Sequence, residues 1–361
     1  MNMRRTTGAL CAVLALSGGR EASAQVRALT SLSTAAQRTV RDALEAAVPD
    51  VRVEFVVHAG PGRPQGLEGI DALVGIDAEW MDGLRGALAD LAAQGIREPN
   101  GLVPFHRDPE GRYVVPWADA YVVARSALAF GEGVAPRSVA AMGGEEFTDR
   151  LVLPEPRVAP SLFVDWIRTP LRSGEGSNVV FARLVAVDAR VRTWAVSFES
   201  VLAAIQVAPN ETFGVLPASF AVGAEGSIAF EPLEPWSPLR GYAVAALSAS
   251  RNRAAVSRIL EVVLSPALAL DLAVLHGVLP GVAESARATL PVFVRPLVGA
   301  SSPVDPEPER LDAWLGRLET EVIGHGRYSE GLGIALDVLF GGLFLLAIYW
   351  VHRRSVAAED A

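Results

Sequence analysis

Residues Ala28–Val57 read ALTSLSTAAQRTVRDALEAAVPDVRVEFVV, and their patterning sets the fold class. Ala28 to Ser33 reads as a strand, and Thr34 to Val48 carries apolar residues at helical spacing behind Ser33 or Thr34 as the N-cap. Asp50 to Val57 then alternates, with Val51, Val53, Phe55 and Val57 on one side of an extended chain. Asp71 to Ile76 (DALVGI) is a further apolar strand, and Asp77 stands where it would cap a helix over Ala78 to Ala92. Strand and helix alternate. That order predicts an α/β sheet with helices on both faces, whose ligands lie beyond the carboxyl ends of the strands.

Downstream, Tyr113 to Val123 is extended with Pro116 and Trp117 inside it, and Arg150 to Leu153 is a short strand closed by Pro154-Glu155-Pro156. Helical patterns cover Ser161 to Ile167, Val179 to Asp188 and Phe198 to Val207. Phe213 to Leu216 and Ser227 to Phe230 read as strands with a helix between them. Tyr242 to Ser248 is a strand, Arg253 to Leu264 a helix, and Pro266 to His276 a helix stopped by Gly277. Ser301 to Arg310 is rich in proline and acid and reads as a linker. Arg310 to Ile323 is amphipathic, with Leu311, Trp314, Leu315 and Leu318 on one face.

The ends of the chain point to export. Arg4 and Arg5, the apolar run Ala9 to Leu16 and Ala22-Ser23-Ala24 before Gln25 form the pattern of a secretory signal, residues 1–24. Gly331 to Val351 carries a single charge, Asp337, and is long enough as a helix to cross roughly 30 Å of hydrocarbon. His352, Arg353 and Arg354 follow it, so the tail 352–361 is expected on the cytoplasmic side and everything before residue 331 outside. The expected localisation is therefore the cell membrane, single-pass, with the large N-terminal part extracytoplasmic.

Composition removes several chemistries. The 361 residues carry a formal net charge of −9 and include no lysine, so a P-loop and any Schiff-base chemistry are excluded. No basic run is present, which argues against nucleic acid. Cys11 is the sole cysteine, so disulfide frameworks and thiolate metal sites are excluded as well. The five histidines, His58, His106, His276, His325 and His352, show no helical metal spacing, and neither a G-x-S-x-G elbow nor a complete G-x-G-x-x-G turn occurs. No catalytic constellation, metal site or cofactor is expected.

Three blocks carry a resemblance. Val114-Val115-Pro116-Trp117 leads into Ala120-Tyr121-Val122-Val123. Gly131 to Trp166 reads GEGVAPRSVAAMGGEEFTDRLVLPEPRVAPSLFVDW. Arg240 to Pro280 reads RGYAVAALSASRNRAAVSRILEVVLSPALALDLAVLHGVLP. In this order they resemble type II solute-binding proteins of ABC importers, nearest the iron, polyamine and thiamine branch, over roughly Ala28 to Pro280. The resemblance implies two α/β lobes closing on a ligand: lobe 1 from residues 25–115 and 240–297, and lobe 2 from 116–239. Residues 298–330 would then be linker and juxtamembrane helix, and 331–351 the transmembrane helix.

It also implies a cleft lined by Ser31, Ser33, Thr34, Asp77, Trp117, Ala159, Ser161 and Ser219. Helix capping is the competing role for Ser33, Asp77 and Ser161, and core packing for Trp117. Helix starts in such a cleft suit anionic or strongly polar ligands. The chain departs from the family at three places. Pro217-Ala218-Ser219-Phe220 lacks the adjacent tyrosines of ferric-binding members, Val158-Ala159-Pro160 stands where relatives often have Gly-Thr-Gly, and Ala59 to Ile70 is too short for the usual helix. The expected role is capture of a small polar or anionic solute for a membrane permease. The alternative is a sensor or structural ectodomain signalling to another membrane protein.

Overall fold

A computed structural model describes residues 24–324 apart from 59–61, 98, 129–134, 225, 283–289 and 300–307. The expected signal segment up to residue 23 and the expected anchor Gly331–Val351 lie outside the described residues. Among the described residues no single helix is long and apolar enough to cross a membrane.

Strand β1 (Ala24–Thr30) pairs in parallel with β2 (Val51–Val57) along its whole length, Ala24 opposite Val51 and Thr30 opposite Val57. It begins four residues before the expected Ala28, because Ala24 to Arg27 complete that ladder. Helix α1 (Thr34–Ala47) connects them: Ser33 accepts a hydrogen bond from the Ala36 N–H, and Ala36, Gln37, Val40 and Leu44 form the buried stripe. Strand β3 (Ala72–Asp77) lies parallel on the other side of β1. The sheet continues through the antiparallel strand β10 (Leu239–Ala246) to β5 (Tyr113–Ser126). Helices α8 (Arg253–Val263) and α9 (Pro266–His276) pack with α1, and Gly277 closes α9 at φ +73°.

Gln25, Arg52 and Glu54 are exposed on β1 and β2. Glu54 accepts from Gln25 at 3.1 Å and pairs with Arg27 at 3.4 Å.

All 14 residues of β5 are buried. Its first half pairs with β10, β4 (His106–Arg107) and β11 (Leu279–Pro280). Its second half pairs with β8 (Phe213–Pro217) and β9 (Ile228–Pro232), the change of partners falling between Ala120 and Tyr121. Strand β6 (Leu151–Pro154) then lies parallel to both β8 and β7 (Val191–Ala195). Two α/β lobes therefore share one strand. The second lobe carries α4 (Pro160–Arg172), α5 (Ser177–Asp188), α6 (Phe198–Val207) and the short α7 (Ala218–Val222).

One expectation is corrected. The helix over Ala78 to Ala92 is instead a 3₁₀ turn (Ala78–Trp80), a single α turn, α2 (Met81–Leu84), and a second 3₁₀ turn (Arg85–Ala87). Gly83 and Gly86 weaken it, and Leu88 is drawn into a bridge with Leu247. The amphipathic segment expected over Arg310 to Ile323 packs against lobe 2. Helix α11 (Pro308–Arg317) and the π turn Leu318–Val322 bury Leu311, Trp314, Leu315, Leu318 and Val322 in the same core as lobe 2. Arg317 stacks 3.8 Å from the Phe181 ring centre and bonds Ser177 Oγ at 3.0 Å, and the Gly324 N–H donates to Asp188 at 3.1 Å. The same helix reaches lobe 1, where Asp312 pairs with Arg63 at 3.4 Å.

Candidate functional site

A cavity of about 310 Å³ opens between the lobes. Lobe 1 contributes Ser31 and Leu32 after β1, Val57 and His58 at the end of β2, Asp77 at the end of β3, and Trp80. Lobe 2 contributes Arg157 and Val158 after β6, Val196 to Glu199 after β7, and Phe220 after β8. All six strands run parallel within their own lobe. Their carboxyl ends therefore meet at one place, where the chain turns and side chains are free to face a ligand.

The floor is an ionic network around the shared strand. Arg240 on β10 binds Asp77 at 2.6 and 3.3 Å, with both side chains under 8% exposed. Its guanidinium lies 4.9 Å from the Phe198 ring centre and 5.1 Å from that of Tyr242. Asp119, on β5 next to the change of partners, accepts the Ser219 N–H at 3.2 Å and contacts Tyr242 Oη at 3.5 Å. Burial pushes Asp119 up to about 6. Burial, and then the neighbouring Asp77, push Glu79 up to about 8, and its Oε2 is shut from solvent without a hydrogen-bond partner. The buried Ser31 Oγ likewise has no partner in the protein, while the Ser31 N–H donates to Gly75 O at 3.0 Å.

Of the expected site residues, the structure brings Ser31 and Asp77 to the cavity. Asp77 makes no capping bond; its carboxylate belongs to Arg240. The others stand back from the cavity wall. Ser33 caps α1, and Thr34 is exposed on the first turn. Trp117 is completely buried in the lobe 1 core, facing α8 and α9, because its position in β5 points away from the cleft. Ala159 is completely buried at the start of α4, and Ser161 Oγ lies 3.3 Å from Tyr121 Oη. Ser219 serves the Asp119 network. Sequence reasoning missed their neighbours Val158, Arg157 and Phe220, and also His58, Val196 and Phe198, all at strand ends whose position follows from topology alone.

Gly62 stands at the mouth. The Gly62 N–H donates to Arg157 O at 3.0 Å, and Gly62 O lies 2.9 Å from His58 Nε2. The Arg157 guanidinium is gripped by Glu319, Nε to Oε1 at 2.5 Å and Nη2 to Oε2 at 3.1 Å. Among the described residues no three His, Cys, Asp or Glu side chains are grouped as a metal site. Phe220, with no metal-binding atom, lines the cleft after β8.

No family profile matches the chain, and no curated protein sequence does. Solved structures do. The apo ferric ion-binding protein A of Pasteurella haemolytica superposes with a TM-score of 0.65 at 12% identity, covering 82% of this chain and 97% of that one. A periplasmic thiamin binding protein gives 0.62 at 14% identity, covering 82% and 96%. A periplasmic binding protein from Actinobacillus pleuropneumoniae with fructose-6-phosphate bound gives 0.62 at 12%, covering 83% and 98%. The chain thus has the two-lobed fold of these periplasmic binding proteins.

Proposed function

We propose that this protein is an extracytoplasmic solute-binding protein, tethered by its C-terminal segment, which closes its lobes on a small polar or anionic solute and presents it to an ABC-type importer. The observation that carries this reading is the cleft itself. Six parallel strands from two lobes end on it, and the buried hydroxyl of Ser31 faces it without a protein partner. A buried polar atom is costly until something bonds to it. Closure excludes water and traps the solute, so affinity depends on the population of the closed state. Two of the similar structures are named for binding ferric ion and thiamin, and a third holds fructose-6-phosphate. That range supports capture as the shared activity.

A thermal-shift screen of the purified protein against polar and anionic solutes tests the reading. Occupancy at a hundredfold excess over Kd adds about 2.7 kcal/mol, a rise of several degrees. A panel of metals, amines, sugars, phosphates and carboxylates without any saturable shift would count against it. The tether is tested separately: protease added to intact spheroplasts should digest the lobes and spare a tag placed after Ala361.

One observation favours the sensor or structural alternative. Helix α11 bonds to lobe 1 through Asp312 and Arg63, and the π turn after it to lobe 2 through Glu319 and Arg157, in the stretch that precedes the expected membrane segment in sequence. A neighbouring gene for an importer permease would favour capture; its absence, with a partner that binds through residues 308–351, would favour signalling.

A further inference from the structure

We propose that the cleft takes a carboxylate attached to an apolar body, and that Glu319 holds the carboxylate position while the cleft is empty. This inference rests on the solute-binding reading and names the solute's class. Three basic side chains line the cavity, His58, Arg157 and Arg240. Arg240 is committed to Asp77, and His58 is bonded to Gly62 O. Arg157 is different, because its partner Glu319 belongs to the π turn Leu318–Val322 and not to the cavity wall.

Its Nε and Nη2 both meet the Glu319 carboxylate, the paired geometry in which a guanidinium recognises that group. Its backbone is fixed from the opposite lobe by the Gly62 N–H. Both side chains stay within reach of water, at 40% and 35% exposure, so exchanging one carboxylate for another carries a small penalty. The cavity wall supplies the rest of the recognition. Val57 of lobe 1 is 55% exposed, and Val196 of lobe 2 is 60% exposed. Trp80, Val158, Phe198 and Phe220 line the same space. Apolar surface left open on both jaws gains from covering a hydrocarbon or aromatic body and gains nothing from a sugar or a hydrated metal ion. Of the carboxylates on this wall Asp77 is paired with Arg240, which leaves Glu199 as the one a polyamine would meet.

Binding would displace Glu319 from Arg157. The last turn before Gly324 then loses one of its ties to lobe 2, while Arg317 on Phe181 and the buried leucines keep the helix docked. Occupancy of the cleft is thereby reported at the turn Leu318–Val322.

The test uses the full chain and two probes of the proposed class, phenylacetate and isovalerate, with inorganic phosphate and glucose as the contrasting arms. Titrations are read by tryptophan fluorescence and calorimetry. Glu319→Gln should bind phenylacetate about tenfold more tightly, as expected when an internal competitor that occupies most molecules is removed. Arg157→Gln should lose binding, and Val196→Asp, at an exposed position that folding tolerates, should lose it as well. Phenylacetate should also speed amide exchange in residues 318–323 of the wild-type protein. Binding of phosphate or glucose without the carboxylates overturns the proposed class while leaving solute capture standing. No carboxylate binding by Glu319→Gln at millimolar concentration overturns the class too. Carboxylate binding that is indifferent to both Glu319→Gln and Arg157→Gln overturns the role of the pair.

Discussion

Gly75 sits inside β3 with φ +73°, and an ideal Cβ there would lie 2.6 Å from Leu32 Cγ. The same residue's carbonyl accepts the Ser31 N–H. One glycine therefore lets the strand bend and brings the turn after β1 up to the cleft. Gly75→Ala combines a left-handed backbone with a clash, and should cost about 1–3 kcal/mol in urea unfolding. An unchanged midpoint would mean that the Leu32 turn moves freely. Beside it, Asp77 and Arg240 are worth less as a pair than their separate removal suggests. Asp77→Asn leaves a buried guanidinium without its counter-charge, at about 3–5 kcal/mol, whereas replacing both residues with neutral ones should recover much of that loss. A double variant no more stable than Asp77→Asn alone would show that the pair's charges are not what holds the floor together.

At the scale of elements, Trp314→Ala measures how firmly α11 is part of the folded body. Trp314 is 9% exposed, and truncating such a side chain costs about 3–5 kcal/mol. A loss under 1 kcal/mol would mean that the helix is docked only loosely. The apolar stripe Leu311, Trp314, Leu315 and Leu318 was legible in the sequence, because helical periodicity shows which side is buried. What it packs against was not legible: a stripe names no partner, and the apolar run at Gly331–Val351 drew the reading toward the membrane rather than toward α4 and α5. The alternating β2, the Ser33 cap and the Gly277 stop were legible because each is decided within a few residues. The same local logic misplaced Asp77. An aspartate before a helical stretch is a good cap, but Arg240 lies 163 positions away and offers a stronger bond. The strand Val191–Ala195 escaped notice since its two middle residues, Arg192 and Thr193, are both exposed and break the alternation. The cleft residues were hidden for a topological reason. Arg157, Val196 and Phe220 meet because three parallel strands end together, and no local pattern encodes that.

The whole molecule carries its acid groups in an unusual balance, and stability against pH exposes it. In the unfolded chain Glu79 titrates near 4.5 and Asp119 near 3.8; folded, burial raises them to about 8 and about 6. Between those values the folded protein keeps protons that the unfolded chain has released. Each upward step in pH through the window therefore favours unfolding, and the loss is complete once pH passes the folded values. Asp119 exhausts its share by about pH 6, so the fall from pH 6 to 8.5 belongs mainly to Glu79 and should amount to about 3 kcal/mol. Glu79→Gln keeps the shape and removes the titration. It should leave stability near pH 5 little changed, flatten the fall above pH 6, and make the variant the more stable of the two at pH 8.5. Because Glu79 is next to Trp80 and shares its neighbourhood with Arg63 and Asp312, its ionisation also reaches the contact between α11 and lobe 1. Amide exchange of residues 310–317 should then rise with pH in the wild-type protein beyond the intrinsic rate, and stay level in Glu79→Gln. Equal slopes in the two proteins, in unfolding and in exchange alike, would remove Glu79 as the group that ties lobe contact to pH.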